Sequence, residues 1–327
     1  METYLKVLST GICVPEKVLT NQDLEQMVDT SDEWIISRTG ISERRISDKD
    51  VSTGDLGAAA AQMALENSGL KAEELDLIMV ATASGDHPFP STACIIQEKL
   101  GAKRATAFDL SAACSGFLYC LTVAYSLLNS GAFRNALIIG AETLSKMTDY
   151  KDRSTCVIFG DGAGAMIVAL GEDKKGIFAS HLGSDGSFFP LLNLPAGGSR
   201  MPASIETIER DLHYIKMNCN ELFKVAVRSM EDAAHRTLKK VNLTVKDIDL
   251  LIPHQANIRI INSLRKRLDI EEEKVYVNIG RYGNTSAASI PIAYHEARSN
   301  GLITENSKIL MVAFGGGITW GGVLLKG

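Results

Sequence analysis

The run Ala107-Phe108-Asp109-Leu110-Ser111-Ala112-Ala113-Cys114-Ser115-Gly116-Phe117 holds the strongest chemical signal in this chain. An apolar stretch closes near Leu110. A helical pattern opens near Ser115, with Phe117, Leu121, Ala124 and Leu128 on one face. Cys114 therefore falls on a strand-to-helix turn, a geometry that presents a side chain at the end of a sheet. Unpaired N–H groups and the positive end of the helix dipole favour a thiolate there, which predicts a lowered pKa. The small residues 111–116 leave room for a substrate. A cysteine taken at random is a small buried hydrophobe. That reading is kept for Cys13, Cys94, Cys120, Cys156 and Cys219, and all six thiols are expected to be free.

A nucleophilic thiol calls for a histidine close in space. His254 ends the apolar run Leu251-Ile252-Pro253, and ligands gather at the carboxyl ends of strands in open α/β sheets. His87, His181, His213, His235 and His295 are read as helix or loop residues. Asn284 lies in the small-residue turn Gly280-Arg281-Tyr282-Gly283-Asn284-Thr285-Ser286-Ala287, either as a helix cap or as an N–H donor. Gly315-Gly316-Gly317 can turn backbone N–H groups toward a ligand oxygen, or simply make a hairpin turn. Gly160-Asp161-Gly162-Ala163-Gly164 lacks the spacing and context of a dinucleotide fingerprint and reads as a glycine-rich strand under the cleft.

The elements that must position these groups alternate. Short apolar runs at 77–83, 105–110, 136–141, 250–254 and 309–313 read as strands buried on both faces. Helical patterns fall at 55–67, 115–130, 218–238, 257–268 and 286–299. That alternation predicts α/β architecture with mainly parallel sheets. A shift of 173 lays Leu70 on Leu243, Asp76 on Asp249 and Leu77 on Leu250; a shift of 172 lays Ala136–Ala141 on Lys308–Ala313. Two matches at nearly one offset argue for duplicated halves, taken as 1–171 carrying the cysteine and 172–327 carrying the histidine and asparagine. The expected body is a layered sandwich. Segment 185–215, rich in Gly and Pro, is expected to be a surface insertion.

The chain has 327 residues, enough for roughly two domains. With 34 basic and 39 acidic residues its net charge is −5, a poor match for general nucleic-acid binding. No Cys-x-x-Cys pair is present, so no metal site is expected. The first residues lack a basic segment followed by an apolar one, and no run of about 18 apolar residues occurs. The expectation is a cytoplasmic protein with no membrane span.

Taken in order, Thr30-Ser31-Asp32-Glu33-Trp34-Ile35, Arg38-Thr39-Gly40-Ile41, Ala112–Phe117, Ile158–Gly164, Pro253-His254-Gln255-Ala256-Asn257, Gly283-Asn284-Thr285-Ser286 and Gly315–Gly317 resemble the β-ketoacyl-ACP synthase III family of the thiolase superfamily. The resemblance runs end to end. It implies a thiolase-like αβαβα sandwich of two duplicated halves and a Cys114–His254–Asn284 triad, with the N–H groups of Cys114 and Gly316 as oxyanion hole. It also implies a CoA path along Thr30, Trp34, Arg38, Arg153, Ser154, Phe223 and Asn257, with Trp34 and Arg153 stacking on the adenine. The implied acyl pocket uses Leu144, Phe159, Leu192 and Ile215, with Phe89 reaching in from the second subunit of a homodimer. Substrates would be acetyl-CoA or another short acyl-CoA and malonyl-ACP, with no permanently bound cofactor. Acidic acyl carrier protein would dock on basic residues, Lys224 and Arg259 first, then Lys266 and Arg267, near Arg228 and Arg265.

Rival readings share these residues. A thiolase would place a second cysteine in the final glycine loop, and elongating synthases a second histidine where Asn284 stands. Chalcone-synthase-like and other secondary-metabolite enzymes use the same three residue types. So does a cysteine acyl hydrolase, and a non-catalytic acyl-binding module is the third class. The Trp34 and Arg153 segments favour the fatty-acid enzyme.

Overall fold

The computed structural model describes residues 3–171 and 178–326. Nine strands build two sheets: β1 (Tyr4–Cys13), β2 (Leu77–Ala81), β3 (Thr106–Leu110), β4 (Asn135–Thr143), β5 (Asp161–Gly171), β6 (Phe178–Ser184), β7 (Leu250–Pro253), β8 (Lys308–Gly315) and β9 (Thr319–Lys326). Seven helices matter here: α1 (Asp32–Thr39), α2 (Thr53–Ser68), α3 (Thr92–Leu100), α4 (Gly116–Asn129), α5 (Cys219–Lys239), α6 (Ile258–Leu268) and α7 (Ser289–Ser299).

The first sheet runs β1-β5-β4-β2-β3 and the second β6-β9-β8-β7. In both, the first strand of the half lies beside the last. The senses also match: β4–β2 and β7–β8 are parallel, while β1–β5, β4–β5, β6–β9 and β8–β9 are antiparallel. Where β3 lies parallel to β2, the second half has a lone parallel bridge, Leu251 to Val275. This is the duplicated, layered fold, but its sheets are mixed rather than mainly parallel. Sequence reading missed β1, β6 and β9, three of the strands with antiparallel partners. The 171/172 boundary falls against residues 172–177, which lie outside the described residues.

Why the central strands read as unbroken apolar runs is visible in the packing. Successive residues of a strand face opposite ways. Leu77, Met79, Leu250, Ile252, Ile309 and Met311 face inward onto α4 and α7, in a core shared by both sheets. Ile78 and Val80 face outward onto α2 and α3. Leu251, Leu310 and Val312 face outward onto α5 and α6. Five layers result, α-β-α-β-α. One strand departs from expectation: β3 is only part-buried, because it is the edge of its sheet.

Helix ends follow local chemistry. Ser52 caps α2 by accepting from the Asp55 amide at 3.1 Å, while the Asp55 carboxylate accepts from the Ser52 amide at 2.8 Å. Gly69 ends that helix at φ 71°. Segment 185–215 is more than a surface insertion. Its base forms a two-residue strand, Leu192–Asn193, paired with Lys216–Met217, and Leu191, Ala196 and Ile215 are buried.

Candidate active site

Cys114 sits where the two halves meet, in a 3₁₀ turn (Ala113–Ser115) between β3 and α4. Ala113 takes a left-handed φ of 45°, a strained conformation that sharpens the turn. Ser115 anchors it: its hydroxyl donates to the Ala112 carbonyl at 2.8 Å and lies 2.7 Å from Thr319 Oγ1 on β9. Cys114 is 9% exposed. Burial pushes its thiol up to about 12; a contact with Ser286 opposes that rise and nearby Glu142 adds to it. The lowered pKa expected from a helix N-terminus is therefore overturned. The turn sets Cys114 before α4 begins, and loss of water is the largest cause of the rise.

His254 follows β7, and its amide donates to the Val312 carbonyl at 2.8 Å, continuing the ladder to β8. The ring is 1% exposed and meets Phe314 edge-on at 5.8 Å between centroids. Burial pushes its pKa down to about 3, so the imidazole is neutral. Nδ1 lies 2.7 Å from Ser289 Oγ at the start of α7. Nε2 is buried with no hydrogen-bond partner.

Asn284 caps a turn, and its side chain lines the site. Its backbone is stitched to the strand-like segment before β5, through Asn284 N–H to Ile158 O at 2.9 Å and Gly160 N–H to Asn284 O at 3.1 Å. Gly283, at φ 64°, permits that approach; a Cβ there would lie 2.7 Å from the Ile158 carbonyl oxygen. The side-chain Oδ1 accepts from the Ser286 amide at 2.8 Å.

The three side chains line one narrow cavity of about 100 Å³, together with Phe159, Phe223 and Phe314. Outward it adjoins a mouth of about 660 Å³; Ile158, Cys219, Phe223 and Asn257 line both spaces. Inward it adjoins an apolar pocket of about 220 Å³, with Cys114, Phe159 and Leu192 lining both. The path therefore runs from surface to thiol to an apolar inner pocket.

Of the expected CoA residues, Trp34, Arg38, Ser154, Phe223 and Asn257 line the mouth. Arg153 stacks on Trp34, its guanidinium carbon 4.9 Å from the ring centroid, with Arg38 at 5.9 Å. Thr30 is not among the lining residues; its hydroxyl is buried without a partner. The Asn257 side chain is engaged in structure, accepting from the Arg259 amide at 2.8 Å and donating to the Arg38 carbonyl at 3.0 Å. Leu144, Phe159, Leu192 and Ile215 line the inner pocket, as does Gly316. Phe89 does not line it in this chain, being 86% exposed.

Lys224 and Arg259 stand at the mouth. Arg267 is held by Glu231 at 2.6 Å and Arg265 by Glu272 at 3.4 Å, so the expected basic patch is partly neutralised. Gly315–Gly317 is at once a hairpin turn and an active-site element: β8 and β9 pair from Gly315–Thr319 onward, and Gly317 takes φ 81°. His181 lies on β6, not on a loop or helix.

Sequence reading missed Met147, Leu194 and Ser286 in the inner pocket, and Cys219 in the outer path. It also missed Arg44, fully buried, which donates to Leu19 O, Asn21 Oδ1 and Val157 O and ties the chain around α1 to the floor of the mouth. An arginine flanked by Glu43 and Arg45 carries no sign of burial.

Two family models match the chain: 3-oxoacyl-[acyl-carrier-protein (ACP)] synthase III over residues 108–186, and the C-terminal part of the same family over 238–327. A beta-ketoacyl-[acyl-carrier-protein] synthase III from Caldanaerobacter subterraneus is 56% identical over 320 residues, covering 98% of this chain and 97% of that protein. Its counterpart from Clostridioides difficile is 49% identical over 326 residues, covering 100% and 99%. The crystal structure of the 3-oxoacyl-[acyl-carrier-protein] synthase III of Aquifex aeolicus superposes with a TM-score of 0.91 at 51% identity, covering 99% of this chain and 100% of that one. The chain is thus a thiolase-fold condensing acyltransferase, a member of the β-ketoacyl-ACP synthase III family.

Proposed function

We propose that the protein initiates fatty-acid synthesis by condensing a short acyl-CoA primer, acetyl-CoA by default, with malonyl-ACP. The observation that carries this reading is the shared cavity of Cys114, His254 and Asn284, in which the histidine Nε2 is buried without a partner. A buried polar atom left open is costly unless a ligand completes it.

In the first half-reaction Cys114 Sγ attacks the thioester carbonyl of acyl-CoA. The C–S bond to CoA breaks and the thiol proton ends on the departing CoA, leaving an acyl-cysteine. The backbone N–H groups of Cys114 and Gly316 hold the tetrahedral oxyanion. In the second, malonyl-ACP enters, and His254 Nε2–H and Asn284 Nδ2–H donate to its thioester oxygen. As CO2 leaves, the C–C electron pair becomes an enolate stabilised by those donors. The enolate carbon then attacks the acyl carbon, and Cys114 departs as thiolate and takes up a proton. Dividing the condensation in two lowers each barrier. Every group these steps use belongs to this chain or to its substrates, so no resident cofactor is invoked.

The mouth would take CoA, with adenine on the face of Trp34 beside Arg153 and Thr30 behind them. The inner pocket, roughly seven water volumes in size, suits a short acyl chain. In a homodimer the partner subunit's Phe89 would close that pocket. The highly exposed Phe89 and the part-buried edge strand β3 support such an interface. Acyl carrier protein would dock over Lys224 and Arg259, with Lys266 and Arg267 as outlying contacts. The catalytic unit divides as 1–171 and 172–327. No helix of the described residues is long and apolar enough to cross a membrane, in keeping with a cytoplasmic enzyme.

The test is CO2 release from malonyl-ACP with and without acetyl-CoA. Acetyl-CoA-dependent formation of 3-oxobutanoyl-ACP supports the reading. Steady hydrolysis of acetyl-CoA without condensation would refute it.

A further inference from the structure

Ser289 is the first residue of α7 and is 2% exposed. Its Oγ has two partners: His254 Nδ1 at 2.7 Å and the Gln255 backbone N–H at 3.4 Å. The Gln255 amide can only donate, so it takes one of the hydroxyl lone pairs. The single hydroxyl proton then has one acceptor within reach, His254 Nδ1. The opposite arrangement would have Nδ1–H and the Gln255 N–H both donating to Oγ. It would leave the serine proton buried with no acceptor, a loss of about 1–3 kcal/mol.

We propose that Ser289 is a positioning residue that donates to His254 Nδ1, fixes the Nε2–H tautomer, and so makes the ring a hydrogen-bond donor rather than a base for Cys114. The inference rests on His254 being a donor to the malonyl thioester, and it supplies the residue that sets that role. The consequences are chemical. Nε2 has no protein partner and points its proton into the cavity shared with Cys114 and Asn284. A ring that already carries its proton there cannot accept the thiol proton at the same nitrogen. Acylation of Cys114 is therefore independent of Ser289, while decarboxylation depends on it. Burial that keeps the imidazole neutral leaves tautomer choice, not charge, as the variable that the serine controls.

The test uses full-length enzyme labelled with 15N-histidine. The His254 signals are assigned by their loss in His254→Ala. In the wild-type protein the expected result is a protonated Nε2 and an unprotonated Nδ1. Removal of the partner that orients a metal-binding histidine costs about 10–100-fold, and the same order is expected for this orienting hydrogen bond. Ser289→Ala should lower kcat for malonyl-ACP decarboxylation by that factor with KM little changed. It should leave the rate of acetyl addition to Cys114 near wild type, and Ser289→Thr should recover most of the decarboxylation rate. A wild-type His254 protonated on Nδ1 would overturn the inference, whatever the variants do. So would a Ser289→Ala enzyme that decarboxylates at the wild-type rate, or equal loss of both half-reactions in a variant that melts like wild type. Failure of the underlying functional reading shows separately, as wild-type enzyme that gains no acyl mass at Cys114.

Discussion

The Oδ1 of Asn284 accepts the Ser286 backbone N–H at 2.8 Å, so one end of the amide is fixed and the Nδ2 end is left for the cavity. In the proposed reaction the same side chain that caps a turn is an oriented donor, paired with His254 Nε2 to face the developing enolate. Removing one preorganised donor of this type costs about 10²–10³ in rate. His254→Ala and Asn284→Ala should each lose that much malonyl-ACP decarboxylation. Both should still form acyl-enzyme, as read by intact mass after rapid mixing with acetyl-CoA. Equal loss of both half-reactions in either variant would contradict the roles assigned.

Gly315 fixes the other side of the site. A Cβ on it would stand 2.7 Å from the Cys114 amide nitrogen and 2.9 Å from the Ala112 carbonyl oxygen. Both obstacles are backbone, so neither can rotate away. Gly315→Ala removes no functional group but must displace the proposed oxyanion donor, with a packing cost of about 1–3 kcal/mol. The expected outcome is a lowered melting temperature and slower acylation of Cys114, with the tunnel mouth still binding CoA in calorimetry.

Trp34 with Arg153 at 4.9 Å makes a stacking platform at the mouth. Stacking of a base on an aromatic ring contributes about 1–3 kcal/mol. Trp34→Ala should raise KM for acetyl-CoA about tenfold to a hundredfold, while kcat for the malonyl-ACP half-reaction is unchanged on pre-acylated enzyme. A kcat loss without a KM change would move Trp34 out of the CoA path.

The pH dependence has a definite sign at both ends. The folded-state pKa of His254 is depressed to about 3 against about 6.5 when unfolded. Below about pH 6.5 the unfolded chain binds a proton that the folded one refuses, so stability falls as pH drops toward 3. The slope from this group is about 1.4 kcal/mol per pH unit. Urea unfolding at pH 6.5 and pH 5 should show wild type losing more stability over that interval than His254→Ala. For Cys114 the folded value is raised to about 12 against about 8.5 unfolded, so stability is lost as pH rises between them. In the free enzyme, iodoacetamide alkylation of Cys114 should climb steadily with pH and show no plateau near neutrality. A plateau near pH 7 would restore the helix-dipole reading.

Much of the site was legible because its chemistry sits at element ends. Cys114, His254 and Asn284 each follow an apolar run or glycine turn, and those signals are local. The core strands were equally clear, since burial on both faces leaves no polar residue in 77–81 or 250–253. What stayed hidden depends on distant partners. β1 and β9 read poorly because their burial comes from antiparallel neighbours, β5 and β8, far along the chain. Arg44 is buried only because three acceptors from separate segments converge on it. The thiol pKa went the wrong way for a related reason: a helix dipole is a local feature, whereas the burial that raises the thiol comes from β8, β9 and the Ser286–Ala288 turn packing against the Cys114 turn.

Intact mass spectrometry after exposure to a panel of acyl-CoAs tests the central claim most directly. The account predicts one acyl group per chain, placed at Cys114 by peptide mapping, with acetyl and other short acyls favoured and none in Cys114→Ala. Transfer to malonyl-ACP should then return the protein to its original mass. Acylation of Cys219 instead, or no covalent adduct with any acyl-CoA during active turnover, would contradict it.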